Sequence, residues 1–171
     1  MNAFEKSGLT LSMGDQALIA GTTTTLTLST AKDYYIAGKA YTQATTTNVQ
    51  GSLIDLNTGV TLVGIPPGYG AALVVGTTSS ASTTLRAVQG PITPLAANTA
   101  AYTPGAFKVN PQFPPLPDDF CPFGWVTVSV ATDYTPGATY IFGSSNTTAT
   151  GAQNSAATAH ANIFTSGNLP D

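Results

Sequence analysis

Charge is what this chain has least of. Lys, Arg, Asp and Glu make up 8% of its 171 residues, against roughly 25% in an ordinary soluble domain. Five basic residues scattered along the chain give no footprint for a phosphate backbone, which argues against nucleic acid as a partner. A single cysteine, Cys121, excludes an intrachain disulfide framework. A single histidine, His160, leaves one candidate for imidazole chemistry. No apolar run approaches a membrane span. The first residues, MNAFEKSGLTLSMGDQALIAG, lack an uninterrupted apolar core behind a basic start, which predicts no secretory leader and folding in a cytoplasm. Helical periodicity nowhere extends beyond about ten residues.

In place of charge stand Thr, Ser, Ala, Gly and Asn. With 42% apolar residues and a net charge of −3, the composition is not that of a disordered chain. The length suits one domain with a real core. A surface of Thr and Ala fits a protein lodged permanently against other protein, or an extracellular β-protein.

The stretch from Phe113 to Val130, FPPLPDDFCPFGWVTVSV, organises the rest. It holds Cys121, the sole tryptophan Trp125, and four of the twelve prolines. Phe113 to Pro122 is stiff, because each proline fixes its own φ and drives the preceding residue towards extension. From Trp125 the pattern alternates: Val126, Val128 and Val130 on one face, Trp125, Thr127 and Ser129 on the other. That is the period of a strand, and we read it as central to the fold.

Elsewhere the pattern predicts short strands. Thr22 to Ser29 alternates, with Leu26 and Leu28 inward; Tyr34 to Tyr41 reads as a strand or tight hairpin turning at Gly38. Leu53 to Val63 is weakly apolar and broken by a turn at Asn57–Gly59; Ile65 to Tyr69 is a proline corner; Ala71 to Val75 and Leu85 to Gln89 are strands. Residues 76–82 (GTTSSAS) read as a mobile hairpin loop. Thr93 to Gly105 reads as irregular, and Phe107 to Val109 as a short strand. Thr135–Pro136–Gly137 predicts a turn, with Thr139 to Phe142 as the return strand. Residues 143–159 predict a long loop, with a last apolar touch at Asn162 to Phe164. The expected class is all-β: a β-sandwich or small, jelly-roll-like β-barrel of short antiparallel strands with long loops. Residues 1–20 form an extended N-terminal arm and residues 21–171 a single β domain.

No catalytic, cofactor-binding or metal-binding residues are assigned. His160 lies in AATAHANIF, and no GxSxG elbow accompanies it; Gly143–Ser144–Ser145–Asn146 does not match. Cys121 lacks the neighbouring positive charge a reactive thiolate needs, Lys108 being the nearest basic residue in sequence. Asp118–Asp119 could offer oxygens to calcium, but no DxDxDG-type loop surrounds the pair, and turn capping is the heavier reading. Nothing selects a carboxyl pair for glycosidase chemistry. Pro114 to Pro117 contains PxxP, which we read as a rigid connector before an SH3-type ligand. Asn146–Thr147–Thr148 is a glycosylation sequon, moot without export.

Three pieces, taken in order, carry a family resemblance: GKAYTQATTTN (Gly38 to Asn48), AVQGP (Ala87 to Pro91), and FPPLPDDFCPFGWVTV followed by YIFGSSN (Tyr140 to Asn146) and a terminal NLPD (Asn168 to Asp171). The chain resembles small virion proteins of tailed bacteriophages, of the auxiliary capsid type known as decoration or cement proteins. The likeness covers most of residues 34–171 and leaves residues 1–20 outside. It implies a β-sandwich or β-barrel on the outside of the head, made in the host cytoplasm, bound to the major capsid protein, commonly as a trimer or dimer. It brings no catalytic residues. On this reading the N-terminal segment and the 76–82 and 143–159 loops are arms that order on binding, and removing residues 1–20 leaves a folded protein that binds capsid poorly. Low charge keeps desolvation cheap. The alternatives are a phage tail-fibre or receptor-binding β module, a secreted carbohydrate-active or adhesive domain, and, last, an enzyme.

Overall fold

The structure, a computed structural model, describes residues 10–12, 18–20, 26–49, 55, 62–79, 85–135 and 150–154. Among them there is no helix, and every strand pairs antiparallel. The fold is all-β, as the alternating patterns predict.

In chain order the strands are β1 (Leu11–Ser12), β2 (Leu18–Ala20), β3 (Leu26–Leu28), β4 (Lys32–Ile36), β5 (Lys39–Gln43), β6 (Thr46–Val49), β7 (Tyr69–Thr77), β8 (Arg86–Gln89), β9 (Thr93–Pro94), β10 (Cys121–Thr135) and β11 (Thr150–Asn154). They make three sheets: β1-β4-β5, β2-β3-β6, and a central sheet β11-β10-β7-β8 with β9 added to β7.

The central strand is β10, and it begins at Cys121, four residues before the valine alternation. Its register against β7 runs from Cys121↔Thr77 to Ser129↔Gly70, with a bulge between Pro122 and Gly124. A proline cannot donate to a ladder, and bulges are where strands tolerate one. The bulge also resets the period. Phe123 and Val126, three apart, both enter the same core, which a regular strand forbids.

β7 is buried on both faces from Gly70 to Thr77. Ala71, Leu73 and Val75 join Cys121, Phe123, Val126, Val128 and Val130 in the main core, together with Leu28, Tyr34 and Ile36 from the smaller sheets. Val74 packs on the opposite face with Val88 and Phe120, under Phe113, Leu116 and Trp125. The proline-stiffened lead-in therefore folds back over the strand it delivers. Each fully buried Leu, Val or Phe contributes about 1.5–3 kcal/mol of transfer free energy.

Local turns follow their residues. The β4–β5 hairpin turns through Ala37 and Gly38, with φ of 49° and 78°, the two positive values of a type I′ turn that matches strand twist. At the proline corner the Tyr69 amide donates to Pro66 O at 3.2 Å, with Gly68 at φ 80°, a type II turn with proline first and glycine second.

Several expectations change. Gly76 and Thr77 are strand, not loop. A Cβ on Gly76 would collide with the Cys121 carbonyl and lie 2.9 Å from the Phe120 ring, so this glycine serves close approach rather than mobility. Residues 80–82 of that loop lie outside the described residues. Phe107 forms a bridge to Leu95 rather than a strand, and its ring fills the space above Gly70. Within 143–159, residues 150–154 are strand, pairing Val128↔Asn154 to Thr135↔Thr150. The turn at 136–137, the return strand at 139–142 and the apolar touch at 162–164 lie outside the described residues, as does the turn at 57–59. In the segment read as an arm, Leu11–Ser12 pairs with β4 and Leu18–Ala20 with β3. Its removal would take two strands out of sheets.

Candidate functional site

The residues singled out for chemistry are dispersed. His160 and Asn146 lie outside the described residues. Cys121 is fully buried opposite Thr77. Burial pushes its thiol up to about 12, with the charge of Lys32 pulling the other way, so it stays a protonated, inert thiol at neutral pH. Sequence distance hid that lysine: Lys32, on β4, is itself buried at the same end of the core. Asp119 caps a turn through space, its Oδ1 accepting the Ser79 amide at 3.0 Å, and both Asp118 and Asp119 are exposed. Among the described residues, no three His, Cys, Asp or Glu side chains gather into a metal-binding group. The PxxP segment is wedged against the sheet: Pro114 is buried, and Phe113 meets Trp125 edge-on.

The side chains around Cys121 hold the exit of β7. The Thr77 hydroxyl donates to Gln43 Oε1 at 2.8 Å in the interior. The Tyr34 hydroxyl donates to Thr78 O at 2.8 Å, and Asp119 holds Ser79. Three elements thus anchor three consecutive residues. Tyr34 also stacks on Tyr41 at 5.4 Å and meets Phe123 edge-on at 5.7 Å. Burial raises the Tyr34 pKa.

Among the described residues, a groove and a loop face outward. On the outer side of β4 and β5 a shallow groove of about 260 Å³ runs over Ala40, between Tyr35 and the pair Asp33–Thr42, whose hydroxyl donates to the carboxylate at 2.7 Å. At the far end of the central sheet, residues 96–106 form a loop closed on itself. Its stem is held by the Ala96 amide on Ala106 O at 2.7 Å and by the Leu95–Phe107 bridge. Inside it, Asn98 Nδ2 donates to Pro104 O at 3.3 Å, its Oδ1 accepts the Ala100 amide at 2.9 Å, and the Thr103 amide donates to Ala100 O at 3.2 Å. Tyr102 stands at the tip. Its φ is 52° and its side chain is 43% exposed. Its amide donates to both carboxylate oxygens of Asp133, at 3.0 and 2.9 Å. Neither Tyr102 nor Asp133 stood out in the sequence; the turn chemistry of Asn98 and Pro104–Gly105 was the available signal.

No protein-family model, no curated protein and no solved structure matches the chain.

Proposed function

We propose that the chain is a structural virion protein: a decoration, or cement, protein that sits on the outside of a phage head, bridges major capsid protein subunits and acts as a homotrimer or homodimer. It works without catalytic residues or cofactor. On this reading its sheets close into a β-sandwich or small β-barrel.

One observation carries the reading beyond the motif resemblance. Four of the five described carboxylates hold the protein's own groups: Asp33 the Thr42 hydroxyl, Asp55 the Gln89 amide, Asp119 the Ser79 amide, and Asp133 the Tyr102 amide. Acids used to tie the chain's own strands and turns together suit a rigid contact protein better than a proton-transfer site. A sheet packed on both faces supports a stiff slab that resists load between shell subunits. The test is copy number. A quantitative gel of purified particles should find hundreds of copies per head, and pull-down on isolated heads should retain the protein. A soluble protein absent from particles would overturn the reading.

A tail-fibre or receptor-binding module is the second reading. The groove over Ala40 favours it, since an aromatic wall beside a carboxylate suits a sugar. Tens of copies per particle would decide for it.

A further inference from the structure

We propose that the loop 96–106 is the docking element of this protein, with the Tyr102 ring as its anchor in an uncharged pocket on the partner protein's surface. The proposal rests on the decoration reading and names the surface that reading needs.

Three observations converge. The loop is preorganised: its stem is bonded at Ala96 and Ala106, its interior by Asn98 to Ala100 and Pro104, and its tip by Asp133. A loop already held in one shape loses little freedom on binding. Second, Tyr102 adopts φ 52°, a left-handed conformation that residues with a Cβ disfavour. The surroundings impose it, through a carboxylate 31 residues away, and such outliers cluster where a side chain must be aimed. The aim here is outward: the ring is 43% exposed and belongs to neither core cluster.

Charge selects the partner. From Ala96 to Ala106 no residue is Asp, Glu, Lys, Arg or His, and both oxygens of Asp133 are turned onto the Tyr102 amide. A loop with no charge of its own, flanked at its tip by the single carboxylate of Asp133, has no grip on a polyanion and offers a basic peptide little. It desolvates readily against an equally uncharged protein surface. Tyrosine is the side chain that makes most of such a contact, bringing a large rigid ring on two rotatable bonds.

The experiment uses heads assembled without this protein, and measures bound protein by sedimentation for the wild type, Tyr102→Ala, Tyr102→Gly and Val109→Ala. Val109 is exposed but outside the loop. The wild type and V109A should saturate alike, while both Tyr102 variants bind at least about tenfold more weakly. Y102G should melt about 2–4 °C above Y102A, because glycine takes a positive φ without strain. That difference separates the anchoring ring from a folding defect. If both Tyr102 variants occupy heads like the wild type, the docking role falls and the decoration reading stands. If the wild type binds no heads, the decoration reading falls and takes the docking role with it. Wild-type binding to glycans instead, lost in Y102G, would overturn the protein partner.

Discussion

Phe113 meets Trp125 edge-on, with ring centroids 5.1 Å apart and planes at 86°. The pair closes the back of the central sheet, where the lead-in crosses the strand it introduces. Phe113→Ala removes a half-buried ring and should cost about 1–3 kcal/mol, less than the loss of a fully buried phenylalanine. Trp125 is the sole tryptophan, so its emission should shift red in the same variant as water reaches the indole. Urea titration and an emission spectrum check both. Unchanged stability and emission would mean the lead-in does not cover the sheet.

Gly76 gives a test whose sign matters. In a mobile loop, Gly→Ala is neutral or stabilising by about 0.4–1 kcal/mol. Here a Cβ meets the Cys121 carbonyl and the Phe120 ring. Backbone cannot yield as a side-chain end can, so Gly76→Ala should destabilise by about 2–4 kcal/mol. Thermal denaturation of the variant decides between the two.

At the β4–β5 turn, Ala37 holds φ 49°, where a type I′ turn prefers Asn or Gly. Ala37→Asn should therefore stabilise the protein by about 0.5–1 kcal/mol, read as a higher urea midpoint at constant slope.

Alkaline pH should unfold the protein through Cys121. Its thiol is raised from 9.0 to about 12 by burial. The folded state therefore keeps a proton that the unfolded chain releases between those values. The contribution is complete below pH 9 and is lost as pH rises towards 12, at up to about 1.4 kcal/mol per pH unit. Tyr34, raised from 10.0 by burial, adds a loss of the same sign above pH 10. Cys121→Ala should flatten the curve from pH 9 to 10, measured by denaturant titration at each pH. Iodoacetamide should leave the native wild-type thiol unmodified at pH 8 and label it in urea.

How much of this was legible depended on whether the cause was local. The valine alternation of β10 and the turn at Gly38 were readable, because each is written in neighbouring residues. The bulge was not: the Phe123-to-Val126 spacing breaks the period on which strand reading relies. Gly76 reads as loop because a glycine among threonines looks the same whether it gives freedom or lets Phe120 and Cys121 approach. β11, TGAQN, has no apolar period at all, and its strand exists because β10 offers it a ladder. Among the candidate site residues, Cys121 was readable as inert, although its near neighbour Lys32 comes from another strand. Tyr102 was invisible, since nothing around it calls for a left-handed tyrosine; Asp133 supplies the cause from 31 residues on.

The two-sided burial of β7 also bears on how such a chain can change over generations. From Gly70 to Thr77 it has no solvent-facing position at which a substitution would go unnoticed by packed neighbours. Neutral drift is therefore funnelled away from the middle of the molecule and into its rims. Related chains that diverge should keep this octet while their peripheral turns are rewritten.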